Sequence, residues 1–166
     1  VREIDKMGRK SVDSNQMYID RLPIPKENLI GEEGKGFRYL LHGLNAERVL
    51  IGASMVGLGR CALRHAADYA KERIVFDRPI GMNQAIQHPL AESYVELEAA
   101  NLMAFQAANL YDAGQECGIQ ANAAKYLAGE ATFKACSNAV MTLGGMGYAK
   151  EFHVERYFRE CLIHRL

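Results

Sequence analysis

From Asn45 to about Arg73 the chain runs for almost thirty residues without a proline, and apolar side chains occupy most of a helical circumference. Leu50, Ser54, Gly57, Cys61, Arg64 and Asp68 follow one course down such a helix, while Val49, Met55, Val56, Leu63 and Ala67 add apolar surface elsewhere. A helix apolar on most sides has to be enclosed by other helices, so this one is expected at the centre of the fold. Asn45 is read as its N-cap, because a short polar side chain there can accept a bond from the first free amides. Phe37–Leu44 then forms a separate short helix ahead of it.

Three further helices follow. One begins near Ala85 or Ile86 and runs to about Asp112, where Gly114 stops it. Pro89 is taken to mark its start, since a proline deeper in a helix costs about 3 kcal/mol and one in the first turn costs little. Another spans about Ile119–Leu143 and ends at the glycines, and a last one covers roughly Val154–His164. Long helices joined by short loops predict a mainly α fold, an up-and-down four-helix bundle. Residues 11–20 partly alternate and read as a strand. A lone hairpin is marginal in water, so the strand's partners are expected upstream in a longer parent. The start at Val1 fits the same expectation.

Charge excludes some functions. The 20 basic residues balance the 20 acidic ones, which gives no electrostatic footprint for nucleic acid or an anionic membrane. No apolar run reaches the ~20 residues of a membrane span. Cys61, Cys117, Cys136 and Cys161 form no CxxC pair and no His/Cys cluster with metal spacing, and they read as reduced, buried thiols.

Several motifs carry a chemical reading beside a plain one. Glu47-Arg48 at a helix start can be a proton-abstracting base with a cation beside it, or a solvated helix start. Arg73-Ile-Val-Phe76-Asp-Arg-Pro-Ile-Gly-Met-Asn-Gln84 combines a guanidinium, an aromatic ring and an amide, and suits an anionic, ring-bearing ligand. It also suits a helix–helix turn with a cation near a helix C-terminus. Gly144-Gly145-Met146-Gly147 bares backbone that a ligand could approach, or forms a C-cap. Gly31–Gly36 lacks the Ser or Thr that a Walker loop places after its lysine. Gly57-Leu-Gly59-Arg-Cys-Ala62 lies inside a helix, where small residues for close packing are the simpler reading.

Taken in order, these pieces resemble the C-terminal part of the acyl-CoA dehydrogenase family of flavoenzymes. The matching residues are Leu29–Phe37, Glu47-Arg48, Arg73-x-x-Phe76 with Pro79-Ile80 and Gln84, Lys125, Gly144-Gly-Met-Gly-Tyr148, Val154-x-Arg156 and Arg159. The resemblance covers nearly the whole chain. It implies that residues 1–30 end a middle β-barrel domain and that 31–166 form most of a helical bundle domain whose last helix is missing.

The resemblance also implies a reaction: FAD-dependent α,β-dehydrogenation of an acyl-CoA thioester, as in fatty-acid β-oxidation. Glu47 would remove the α-proton while the β-hydride passes to flavin N5. Isovaleryl- and long-chain-type members carry the base at this position, whereas many others carry it in a segment beyond residue 166. Leu44, Asn45 and Arg48 match positions along the CoA and acyl channel. Arg73, Phe76 and Gln84 match residues that hold the flavin's ADP part across a subunit interface. Met141, Gly144 and Gly145 match a second flavin contact. Two departures stand out: Met141 replaces a common glutamine and Asp77 a common glycine. A homodimer or homotetramer, electron-transfer flavoprotein as acceptor, and a bacterial cytoplasmic or mitochondrial-matrix location complete the expectation. A same-fold acyl-CoA oxidase or flavin monooxygenase, and a non-catalytic oligomerisation module, are the alternatives.

Overall fold

The computed structural model describes residues 1–166. Two short strands, β1 (Arg2–Glu3) and β2 (Asn15–Gln16), pair antiparallel with Arg2 opposite Gln16. The helix α1 (Gly36–Glu72) follows, then a tight hairpin of β3 (Ile74–Val75) and β4 (Arg78–Pro79). After it come α2 (Gln84–Asp112), α3 (Gly118–Leu143), the single turn α4 (Gly145–Tyr148) and α5 (Val154–Cys161).

The expected up-and-down helical bundle is present, as three long helices and a shorter fourth. Arg60 of α1 pairs with Glu98 of α2, while Gly81 ahead of α2 lies against Ala70 near the end of α1, so these two helices run antiparallel. Helices α2 and α3 are also antiparallel, because Lys134 meets Glu96 and Asn138 meets Pro89. Helices α1 and α3 are therefore parallel, and they pack closely. Gly52 touches the Ala124 backbone, and the buried Thr132 hydroxyl donates to the Met55 carbonyl at 2.7 Å. Twelve of the 22 buried apolar residues are alanine, which lets the helix axes approach. The four cysteines are free thiols, three of them buried and Cys61 half-buried.

Three expectations need correction. Residues 36–72 form one continuous helix, so Asn45 is an interior residue and not an N-cap, and Glu47 does not stand at a helix mouth. Nothing between Phe37 and Asn45 breaks the backbone ladder, and an asparagine is tolerated inside a helix long enough to outweigh its propensity. Pro89 is the sixth residue of α2 and lies in the second turn, not at the boundary. The strand read over 11–20 is limited to Asn15–Gln16.

The β3–β4 turn is strained. Phe76 and Asp77 both lie in the left-handed region, with φ 51° and 61°. Two-residue hairpin turns of this hand favour Asn-Gly, and a phenylalanine with positive φ is uncommon. The N-terminal segment meets the bundle chiefly through α5 and the turn after it. Arg159 Nη1 donates to the Met7 carbonyl at 2.8 Å, the Arg9 amide donates to Glu160 at 2.8 Å, and Arg9 faces His164 at 3.4 Å. Burial first, then the Arg9 and Lys125 cations, hold the His164 imidazole below its ordinary pKa, with Glu160 pulling the other way.

Three measurements test this packing. A Cβ at Gly59 would come within 2.6 Å of the buried Leu97, whereas one at Gly57 meets nothing within 4 Å. Gly59→Ala is expected to destabilise by about 1–3 kcal/mol and Gly57→Ala to stabilise by about 0.5–1 kcal/mol in urea unfolding. Asp77→Gly relieves a left-handed residue and should raise the unfolding free energy by ~0.5 kcal/mol, seen as a higher urea midpoint with no change in slope. For His164 the unfolded chain takes up the proton first. Stability should fall as pH drops below about 6.5, and the fall should be smaller in His164→Gln.

Candidate functional site

The candidate residues fall into two groups on one long rod. Leu44, Asn45, Glu47 and Arg48 occupy two turns in the first half of α1. Leu44, Asn45 and Arg48 are half-buried, and Arg48 Nη1 reaches Asn45 Oδ1 at 3.4 Å. Glu47 points away from the bundle and is exposed. It takes no part in any of the nine ion pairs, so it does not pair with Arg48. Its backbone amide belongs to the helix ladder, so the carboxylate gains nothing from free helix-end amides. What results is a free carboxylate one residue from a cation, on a face that another part of a protein or a substrate can cover.

The second group gathers at the other end of the bundle. Arg73 follows the last residue of α1, Phe76 tops the β3–β4 hairpin, and Gln84 opens α2. Because α3 runs parallel to α1, Met141, Gly144 and Gly145 come to the same end. Arg73 makes no ion pair, and the Phe76 ring is 93% exposed. Asn83 stands at the cap position of α2, yet its side chain does not cap the helix. It turns back to donate to the Ile80 carbonyl and to accept from Arg78, leaving the first α2 amides free. Gly144 ends α3 with φ 59°, and added Cβ atoms at Gly144 and Gly145 would meet nothing within 4 Å. Gly147 differs, being packed against the Val140 carbonyl within α4. The plain reading of these glycines as a C-cap therefore holds for Gly144, and its backbone is open as well.

This end thus offers a free guanidinium, an exposed ring, uncapped helix amides and bare backbone, the complement of an anionic ligand that also carries rings. The left-handed Phe76 and Asp77 fit such a role, since backbone strain of about 1–3 kcal/mol per residue concentrates at ligand contacts. Met141 is exposed in the last turn of α3 and offers no polar side-chain contact.

The two groups are far apart. Glu47 and Arg73 are separated by about 39 Å along α1 at the usual rise of 1.5 Å per residue. Within one chain they cannot act on the same reacting atoms. Lys125, another motif residue, lies elsewhere and donates to the Leu166 carbonyl at 3.0 Å. Arg159 is bound by Glu155, which holds its guanidinium above and the carboxylate below their ordinary pKa. The sequence reading passed over Arg78 and Asn138, whose side chains bond Asn83 and Pro89 near this end of the bundle. No signal pointed to Asn138, because Pro89 reads as a helix start. No set of three or more His, Cys, Asp or Glu side chains is placed to hold a metal ion, and no helix is long and apolar enough to cross a membrane.

Comparison with known proteins gives the family. Residues 34–166 match the family described as acyl-CoA dehydrogenase, C-terminal domain. The chain is 39% identical over 158 residues to an acyl-CoA dehydrogenase of Bacillus subtilis, covering 95% of this chain and 42% of that protein. The structure of butyryl-CoA dehydrogenase from Megasphaera elsdenii superposes with a TM-score of 0.92 at 31% identity, over 99% of this chain and 43% of the other. The prolyl acyl-carrier-protein oxidase AnaB superposes with a TM-score of 0.94 at 26% identity, over 99% and 44%. The chain therefore spans about two fifths of the length of the relatives it matches. By sequence and by fold it belongs to the acyl-CoA dehydrogenase family and corresponds to that family's C-terminal helical domain.

Proposed function

We infer that the full-length protein carrying this chain is an FAD-dependent acyl-CoA dehydrogenase in which Glu47 is the proton-abstracting base. The observation that carries this reading is the free carboxylate of Glu47 on the outward face of α1, next to Arg48 in the chain and part of no ion pair. The domain reading belongs to the same proposal: residues 1–30 end a β-barrel domain and residues 31–166 belong to the bundle.

In this reading Glu47 takes the α-proton of an acyl-CoA thioester onto a carboxylate oxygen. A carboxylate does this best when the substrate excludes water and its basicity rises. Leu44 lines the acyl channel, and Asn45 and Arg48 meet its polar part. The chemistry that FAD would supply when bound is acceptance of a hydride from the β-carbon. Arg73 would hold the negative charge of its diphosphate, Phe76 would offer a ring surface, Gln84 an amide, and Met141, Gly144 and Gly145 backbone groups.

The 39 Å gap gives these assignments a geometric condition. The Glu47 of one chain and the Arg73 group of the same chain serve different flavins, so the site is completed by a second copy, and the protein is a homodimer or homotetramer. Electron-transfer flavoprotein is the proposed electron acceptor, in a bacterial cytoplasm or a mitochondrial matrix. The likeness to a prolyl acyl-carrier-protein oxidase supports a second reading, in which oxygen reoxidises the flavin.

The test is anaerobic bleaching of the flavin by a panel of acyl-CoA thioesters. Wild-type full-length protein is expected to bleach. Glu47→Gln should retain its flavin and bleach at least about 10²-fold more slowly, the scale of a lost general base. A Glu47→Gln protein that bleaches at the wild-type rate removes Glu47 from the chemistry. Rapid recolouring by oxygen alone favours the oxidase reading.

A further inference from the structure

Deep in the same end of the bundle lies a polar clasp that the chemistry above does not use. Pro89 has no N–H, so the Ala85 carbonyl lacks its helical donor, and the first turn of α2 is joined loosely to the rest. That turn is held instead by its neighbours. Gln87 Nε2 donates to the Gly81 carbonyl at 2.7 Å, and Asn83 Nδ2 donates to the Ile80 carbonyl at 3.0 Å. Just past the break the fully buried Ser93 hydroxyl donates to the Pro89 carbonyl at 2.8 Å.

Asn138 reaches across from α3 to the stretch of α2 just past this break. Its Nδ2 donates to the Pro89 carbonyl at 3.1 Å and to Ser93 Oγ at 2.9 Å. Separately, the Asn138 main-chain carbonyl accepts the Thr142 hydroxyl at 2.7 Å within the last turn of α3. An apolar side chain would fill the same space without the desolvation cost of an amide, so the polar choice calls for a reason. The other polar link between α2 and α3 is Lys134 with Glu92 and Glu96, which lies further from this end and on the surface, where ion pairs contribute little.

Gln84 lies five residues before Pro89, and Met141 lies three residues after Asn138. We propose that Asn138 is a positioning residue: it fixes α2, just past its loosened first turn, against the end of α3, and so sets the spacing between the two halves of the flavin-contact surface. This rests on the flavin reading given above. Asn138 touches no cofactor itself and acts through Gln84 on one side and the Met141–Gly145 strip on the other.

The experiment measures FAD affinity by fluorescence and the thermal midpoint of the flavin-free form, both on full-length protein. Asn138→Leu keeps the volume and loses the clasp. It is expected to weaken FAD binding about tenfold while moving the flavin-free midpoint only slightly. Ser93→Ala shortens the clasp and should weaken binding about threefold, and it carries the test if the leucine variant does not fold. Thr132→Val is the control, since it removes a more deeply buried bond further from the flavin end, to the Met55 carbonyl. It should change FAD affinity less than twofold. Wild-type-like binding by both clasp variants overturns the proposal and leaves the dehydrogenase reading intact. An equal loss in Thr132→Val reduces Asn138 to a general structural role and also overturns it. A wild-type protein that takes up no FAD overturns both readings together.

Discussion

The close approach of α1 and α3 is the constraint on which the rest depends. Two long parallel helices lie together because their contact is rich in glycine and alanine, with the buried Thr132 hydroxyl bonded across it to the Met55 carbonyl. Small side chains lose little rotamer freedom on burial, so the packing carries a low entropic cost for each residue ordered. The cost is that the core tolerates no added volume, as Gly59 against Leu97 shows. Helix α2 closes the third side, and α5 brings Val154, Tyr157 and Cys161 onto the α1–α3 seam.

This rigid seam explains how one short chain can present two separate chemical surfaces. The first half of α1 carries a free carboxylate near a guanidinium. The far end collects an arginine, an exposed ring, uncapped amides and glycine backbone from three different helices. Parallel packing of α1 and α3 is what places the end of α3 beside the hairpin after α1. Had α3 run the other way, Met141 and Gly144 would lie near Glu47, and the second surface would have lost half its parts.

Much of this was legible in the sequence. The helices after residue 84 end where Gly114 and Gly144 permit a left-handed or extended exit, and the apolar periodicity gives their number and order. The start of α1 was not legible, because Asn45 followed by Glu47 carries the same local chemistry as a helix cap, and only tertiary context shows that the backbone continues through it. Pro89 misled for a related reason. The side chains that brace α2 beside the proline, Ser93 and Asn138, both donate to the Pro89 carbonyl, and they lie 4 and 49 positions away in the chain. The order of motifs pointed to both groups of site residues. Their separation was invisible until the helix connecting them proved to be a single rod.

That separation has a consequence for inheritance. If each reaction centre takes its base from one copy and its flavin grip from another, a lesion in the first half of α1 and a lesion at its far end injure different parts of different centres. In a cell that makes both damaged forms, a mixed dimer holds one centre with both faults and one with neither. Two alleles, each inactive alone, would then partly restore each other.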